Sequence, residues 1–280
     1  MGSTSHRRGR DTQANAMITR RTFISTTASI LASSAVATAA QKLDLGIGTY
    51  TYHSLSIDDM IVQLRRLRIL EIEMSRGEFM LFSHPSPEMF ASVKSKLDRA
   101  GIQCVSYYTA TIKDDGDLDN AVRFAKMLGS RNVTGDATGD ILKRIDQRLT
   151  AEGLTFGIHN HYFKQKFAYE SPEDVLRALS GLSNTMGASL DVGHIASCGY
   201  DTVDAVRKLA PHLKMVHLKD VQASGGEVNV LLGQGIARIP EVMSELHKVN
   251  YGGLVAIEYE HEGSVEEDVR IEVEYARKLL

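Results

Sequence analysis

The chain has 280 residues, of which 43% are hydrophobic and 24% charged, and its formal net charge is −3. That length is sufficient for one large domain with its own core, and no apolar run is long enough to span a bilayer. The slightly acidic charge argues against nucleic acid as a partner. We therefore expect neither nucleic acid nor membrane as a partner of the mature chain.

Residues 1–40 have the features of an export signal. Arg20 and Arg21 lie in the sequence TRRTFIS, which resembles the twin-arginine signal, and an uncharged stretch rich in Ala, Ser and Thr follows. The stretch closes with Ala-Thr-Ala at 37–39, the small-x-small pattern that signal peptidases cut, and it shows no apolar stripe of helical period. We predict an N-terminal extension and twin-arginine signal peptide at 1–40, a mature domain at 41–280, and a periplasmic protein. Residues 1–40 contain five Arg and one Asp, so the remainder has 27 basic and 34 acidic side chains and a net charge of about −7.

Beyond residue 40, β-rich runs alternate with amphipathic helical stretches. Eight strands are predicted, at residues 43–50, 69–74, 103–108, 131–134, 154–159, 187–191, 213–218 and 254–259. Helices are predicted after them, at residues 57–67, 87–100, 118–128, 139–151, 172–179, 202–209, 240–249 and 265–280. Ser56, Ser171 and Ser264 precede early acidic residues, which is typical of helix N-caps.

This alternation predicts the fold class. Each strand with its helix takes about 30 residues, the size of a βαβ unit. Eight such units predict a single closed (β/α)8 TIM barrel of the α/β class, and the right-handed crossover rule permits its closure. A doubly wound open sheet is the alternative, but no Gly-x-Gly-x-x-Gly turn follows the first predicted strand.

Polar side chains, most of them of metal-ligand type, stand where the last four predicted strands end, the place at which barrels of this kind carry their active sites. They are His159, His161, Asp191, His194, His217, Lys219, Glu258 and Glu260. Because side chains alternate along a strand, His159 and His161 share one face of their strand. His217 and Lys219 do so on the next but one, and Glu258 and Glu260 on the last. Such a cluster of imidazoles and carboxylates requires paired charges or a cation to offset its desolvation, and a divalent metal bound by mixed nitrogen and oxygen ligands meets this need. Glu73 ends the second strand as a further inward acid, either catalytic or paired with Arg76.

Five short motifs occur in order along the chain. They are HNH at 159–161, DVGH at 191–194, HLKD at 217–220, GQG at 233–235 and IEYE at 257–260. Together they resemble the sugar phosphate isomerase/epimerase family, which has the xylose isomerase-like TIM barrel, over essentially all of residues 43–280. The resemblance implies one divalent metal ion, usually manganese and in other members zinc, magnesium or cobalt. By position, the implied metal ligands are His159, Asp191, His217 and Glu258.

His159 departs from the family pattern, in which a glutamate stands at this position. An imidazole differs from a carboxylate in charge and basicity, so the type of reaction stays open. His161 is the alternative fourth ligand, or it contacts a sugar hydroxyl.

Proton transfer next to a carbonyl needs a group on each face of the substrate. We expect Glu258 to be one such group, with His159 or Glu73 opposite, and we expect His161, His194 and Lys219 to contact the substrate. For Lys219 the alternative is an ion pair with Asp220 or Glu258.

Three functions fit these residues. The first is a metal-dependent isomerase or epimerase acting on a keto sugar or related polyol through an enediolate. The second is a lyase, dehydratase or hydratase that uses the same site on a 3-keto-glycoside or inosose. The third is a non-catalytic periplasmic sugar-binding barrel, which the histidine at 159 suggests.

The expected partner is a small sugar, and export favours an unphosphorylated one because sugar phosphates are largely cytoplasmic. A homo-oligomer is left open by the sequence. Cys104 and Cys198 are read as buried small residues in preference to a disulfide.

Overall fold

The computed structural model describes residues 43–75, 85–109, 111–162, 164, 168–261 and 265–280. The predicted signal at 1–40, the predicted cap Ser264 and the alternative Glu73 partner Arg76 lie outside these residues, so those three assignments stay predictions.

Eight parallel strands close into a barrel. They are β1 (Asp44–Gly48), β2 (Glu71–Met74), β3 (Gln103–Tyr108), β4 (Asn132–Gly135), β5 (Thr155–His159), β6 (Met186–Asp191), β7 (Leu213–Leu218) and β8 (Leu254–Ile257). Neighbours in the barrel follow chain order, and β8 pairs with β1 to close it. The predicted (β/α)8 barrel is confirmed and the open-sheet alternative is wrong.

Nine helices surround the strands in the described part of the chain. They are α1 (Ile57–Leu67), α2 (Pro87–Ala100), α3 (Asp115–Leu128), α4 (Ile141–Glu152), α5 (Pro172–Leu179), α6 (Val192–Ser197), α7 (Thr202–Leu209), α8 (Ile239–Lys248) and α9 (Glu266–Arg277). Short 3-10 turns occupy Thr49–Tyr52 and Ala210–His212, and Asp220–Val221 pairs with Asn229–Val230 as a small antiparallel hairpin. Among the helices that are described, none combines the length and the apolarity needed to cross a membrane.

Side-chain caps explain where several helices begin. The hydroxyl of Ser56 accepts a hydrogen bond from the N–H of Asp59, and Ser171 forms a capping box with Asp174, as predicted. Helix α3 begins three residues before its predicted start because the Asp114 carboxylate accepts from the N–H of Asp117 at 3.0 Å.

The strands bury different side chains on their two faces. Ile158, Val216, Leu218 and Ile257 alternate along their strands with the polar side chains and belong to the main hydrophobic core. Met215, Leu254 and Ala256 form a second, smaller apolar cluster. In addition, Glu73 on β2 contacts His217 on β7, two strands that do not pair with each other. The barrel interior near the carboxyl ends of the strands is therefore polar.

Candidate metal centre

Four predicted ligands converge at the carboxyl ends of the last four barrel strands. His159, Asp191, His217 and Glu258 each offer one ligand atom, and these atoms lie within 4.8 Å of one another. His217 Nδ1 is 3.2 Å from His159 Nε2, 3.3 Å from Glu258 Oε2 and 3.8 Å from Asp191 Oδ2. The strand register explains part of this arrangement, because Asp191 on β6 pairs directly with His217 on β7. We refer to these four residues as the metal cluster.

The chemistry of the metal cluster fits a divalent cation. His159 Nε2 and His217 Nδ1 face each other at 3.2 Å, so either a proton or a metal cation must lie between their lone pairs. Asp191 Oδ2 and His159 Nδ1 are buried and form no hydrogen bond of good geometry within the described residues, although the Lys219 ammonium lies 3.2 Å from Asp191 Oδ2. Two imidazole nitrogens with two carboxylate oxygens are a ligand set that first-row divalent metals favour.

Three hydrogen bonds that involve backbone groups hold Asp191 in place. Its Oδ1 accepts from the N–H of His194 at 2.9 Å and so caps α6, which leaves Oδ2 directed into the metal cluster. The Asn160 side chain bonds the Asp191 backbone twice, accepting from the N–H at 2.9 Å and donating to the carbonyl at 3.0 Å. The middle residue of HNH therefore aligns the ends of β5 and β6.

Lys219 is the cation that neighbours the metal cluster. Its side chain is 1% exposed, and its ammonium lies 3.1 Å from Glu258 Oε2, 3.2 Å from Asp191 Oδ2 and 2.7 Å from Glu260 Oε1. Burial acts to lower the pKa of Lys219, but these three carboxylates hold that pKa well above its ordinary value. Gly193 allows this approach, because a Cβ at 193 would collide with the Lys219 side chain. His194 Nε2 is 3.4 Å from the same ammonium.

Two ion pairs were predicted as alternatives for Lys219. The pair with Glu258 is confirmed, and the pair with Asp220 is not found among the described residues. The Asp220 carboxylate instead accepts the backbone N–H groups of Gly233, Gly235 and Ala237 at 2.9 to 3.0 Å. The last residue of HLKD therefore fixes the loop that carries the GQG motif.

His161 lies beside the metal cluster without belonging to it. Its ring centre is 4.6 Å from that of His159, and its Nε2 is 3.0 Å from Asp136 Oδ2. The Tyr108 hydroxyl donates to the same oxygen at 3.4 Å, and burial raises the pKa of Tyr108 well above its ordinary value. In the described residues, the group able to hold a metal contains His159 and does not contain His161.

Asp136 and Tyr108 were not identified from the sequence. Tyr108 is the last residue of β3 and Asp136 follows β4 directly, so both stand at strand ends like the predicted ligands. Neither residue belongs to a motif, but both lie at the carboxyl ends of strands, where barrels of this kind carry their active sites.

The histidines of the site differ in pKa. Burial lowers the pKa of His159 and of His194 well below the ordinary value, so both rings are neutral near pH 7. Burial acts the same way on His217, but Glu258, Glu73 and Asp191 outweigh it and raise the pKa of His217 to about 9. A cation that binds His217 Nδ1 near pH 7 must therefore displace a proton.

Glu73 lies beneath the metal cluster. It is fully buried, and its Oε2 is 2.6 Å from His217 Nε2. Its Oε1 accepts from the hydroxyl of Ser106 at 3.2 Å and from the hydroxyl of Thr134. The structure thus pairs Glu73 with a proposed metal ligand.

The family model described as xylose isomerase-like TIM barrel matches residues 69–279. The chain belongs to this family. Its match to the rhizopine catabolism protein MocC of Rhizobium meliloti is 26% identical over 148 residues, which are 47% of this chain and 45% of that protein. The chain therefore matches less than half the length of this relative.

Two solved structures show the family fold over most of the chain. One is a D-psicose 3-epimerase crystallised in the presence of D-fructose, at a TM-score of 0.67 and 15% identity, covering 85% of this chain and 99% of that one. The other is the probable 3-DHS dehydratase AsbF from Bacillus anthracis, with a TM-score of 0.69 and 13% identity, covering 84% of this chain and 98% of that one. At these identities both likenesses concern the fold alone.

Proposed function

We propose that the protein is a divalent-metal-dependent isomerase or epimerase that acts on a keto sugar or related polyol through an enediolate. The observation that carries this proposal is the metal cluster at the carboxyl ends of the strands of a xylose isomerase-like barrel. Membership of a family that includes sugar epimerases supports it. Manganese is the expected metal, with zinc, magnesium and cobalt as alternatives.

A divalent cation held by His159, Asp191, His217 and Glu258 would stabilise negative charge on a substrate oxygen during enolisation. Glu258 takes the proton from the carbon next to the carbonyl. It can accept this proton because it is ionised: His217 and Lys219 outweigh its burial and lower the pKa of Glu258. On the other face, the neutral imidazole of His159 returns a proton only as a relay, taking one from water as it gives one up, while Glu258 releases its proton to solvent. His194 and His161 contact substrate oxygens, whereas the Lys219 ammonium, paired with Asp191, Glu258 and Glu260, positions those carboxylates in place of the predicted substrate contact.

Elimination at the same site is the second candidate function. The observation that favours it is His159, because the family's second carboxylate, which epimerisation uses as a base, is absent. Elimination needs only one base, the role proposed for Glu258, because the leaving group can take its proton from water. A 3-keto-glycoside or an inosose would be the substrate of such a lyase, dehydratase or hydratase.

We also propose an unphosphorylated substrate met in the periplasm. The twin-arginine-like sequence at residues 19–25 supports export. Lys219 supports a neutral substrate, because three carboxylates already balance its charge.

The test is proton exchange in deuterated water. Full-length protein loaded with Mn²⁺ is incubated with a panel of keto sugars, and mass spectrometry follows deuterium at the carbon next to the carbonyl. We expect metal-dependent exchange, and a loss of at least about 100-fold in Glu258→Gln. Glu241→Gln, on the exposed face of α8, is the control that keeps full exchange.

Product analysis separates the two reactions, since elimination releases water or an aglycone and epimerisation releases neither. Metal-loaded protein that binds sugars but exchanges no proton would contradict both, and would favour the non-catalytic binding barrel.

A further inference from the structure

Glu73 divides its two carboxylate oxygens between different tasks. Oε2 faces His217 Nε2 at 2.6 Å, across the barrel from β2 to β7. Oε1 is held by the hydroxyls of Ser106 on β3 and Thr134 on β4. One oxygen is thus anchored by neighbouring strands, and the other is presented to the imidazole.

The anchoring continues through the barrel interior. Asn132 Nδ2 donates to Ser106 Oγ at 3.0 Å, so the Ser106 hydroxyl accepts there and directs its own hydrogen to Glu73. Thr155 Oγ1 in turn donates to Asn132 Oδ1 at 2.8 Å. Side chains of β3, β4 and β5 therefore restrict the rotamer of a fully buried carboxylate.

His217 uses its two ring nitrogens on opposite sides. Nε2 faces Glu73, and Nδ1 faces the metal cluster, 3.2 Å from His159 Nε2 and 3.3 Å from Glu258 Oε2. A histidine that donates from one nitrogen to a carboxylate has its ring orientation fixed and a more basic lone pair on the other nitrogen. Partners of this kind strongly affect metal affinity.

We propose that Glu73 is a positioning residue of the metal centre. It holds His217 with the proton on Nε2 and the lone pair of Nδ1 directed at the cation, and it places a negative charge behind that ligand. Its complete burial and its three hydrogen bonds keep it away from the substrate. This inference rests on the proposed metal centre and replaces the proton-transfer role that the sequence suggested for Glu73.

The experiment measures metal affinity, which does not require a substrate. Co²⁺ is titrated into the full-length protein and into Glu73→Ala and Glu73→Gln, with calorimetry for the dissociation constant and visible absorption for the ligand field. We expect Glu73→Ala to weaken Co²⁺ binding by about 10- to 100-fold. Glu73→Gln should weaken it less, since its amide oxygen still accepts from Nε2–H, and should shift the Co²⁺ absorption bands because the negative charge is gone.

Ser189→Ala is the matched control, because Ser189 is fully buried on β6 and its hydroxyl has no partner among the described residues. It should bind Co²⁺ like the wild type. Wild-type affinity in Glu73→Ala would overturn the role of Glu73 and leave the metal centre standing. If Glu73→Ala does not fold, a wild-type spectrum and a wild-type affinity in Glu73→Gln would equally overturn the role of Glu73. A wild-type protein that binds no Co²⁺, Mn²⁺ or Zn²⁺ would instead overturn the metal centre itself, and Glu73 with it.

Discussion

At the scale of single residues, neighbours within one motif perform separate tasks. In HNH, His159 joins the metal cluster, Asn160 bonds the backbone of Asp191, and His161 pairs with Asp136. Alternation along the strand predicted that the two histidines share a face, but it contains no information about their partners on other strands. The shared face was therefore predictable from the strand and the proposed ligands from the family resemblance, whereas the contacts of Asn160 and Asp136 followed from neither.

Glu272 on α9 is a buried carboxyl that belongs to none of the five motifs. It is 1% exposed, its Oε2 has no hydrogen-bond partner in the described part of the chain, and burial raises the pKa of Glu272 well above its ordinary value. A raised pKa means that the folded state favours the protonated acid. The contribution of Glu272 to stability is therefore complete below the pKa of the unfolded chain, about 4.3, and is lost as pH rises through the higher folded pKa.

We predict that Glu272→Gln raises the melting temperature at pH 8 by a few degrees and changes it little at pH 5. The reason is that glutamine keeps the size and polarity of the protonated acid and cannot ionise. Melting curves at both pH values measure this, with the exposed Glu274→Gln on the same helix as the control. A lower melting temperature at pH 8, or an equal change at both pH values, would show that Glu272 is ionised in the folded protein.

At the scale of elements, four helices begin and end where the sequence predicted. These are α1, α2, α5 and α7, each with a clear apolar stripe and a polar N-cap. Helix α6 was missed because it has six residues and all of them are buried, so no amphipathic period exists to detect. Strand β1 ends two residues before its predicted end, because Thr49–Tyr52 turns into a 3-10 helix.

Asp220 determines the conformation of the loop at 231–237. Three backbone N–H groups point at its carboxylate, and Gly235 has no room for a side chain because a Cβ would collide with Asp220 Oδ1. Gly233 also has a φ of +85°, which favours glycine.

We predict that Asp220→Ala lowers the free energy of unfolding by about 2–4 kcal/mol, since several loop N–H groups lose a charged acceptor. Urea denaturation measures this loss. Metal stoichiometry should be unchanged, because Asp220 lies outside the metal cluster. Asp119→Ala removes a carboxylate from an exposed ion pair with Arg148 and should cost less than about 1 kcal/mol. Equal losses in the two variants would rule out an anchoring role for Asp220.

At the scale of the whole molecule, the barrel was predictable because one strand-and-helix pattern recurs eight times. The polar layer beneath the metal cluster was not, since its contacts join residues far apart in the chain. Glu73 and His217 are separated by 144 positions, and no local pattern connects them. Export to the periplasm depends on residues 1–40 and stays a prediction.

The proposed metal centre is tested most directly by elemental analysis of the purified full-length protein after incubation with Mn²⁺, Zn²⁺ or Co²⁺. We predict one metal ion per chain in the wild type, and almost none in Asp191→Ala and His217→Ala, whose circular dichroism should remain that of a folded barrel. His247→Ala, on α8 and away from the metal cluster, should keep one ion. A wild type without metal, or full stoichiometry in both cluster variants, would contradict the proposed metal centre.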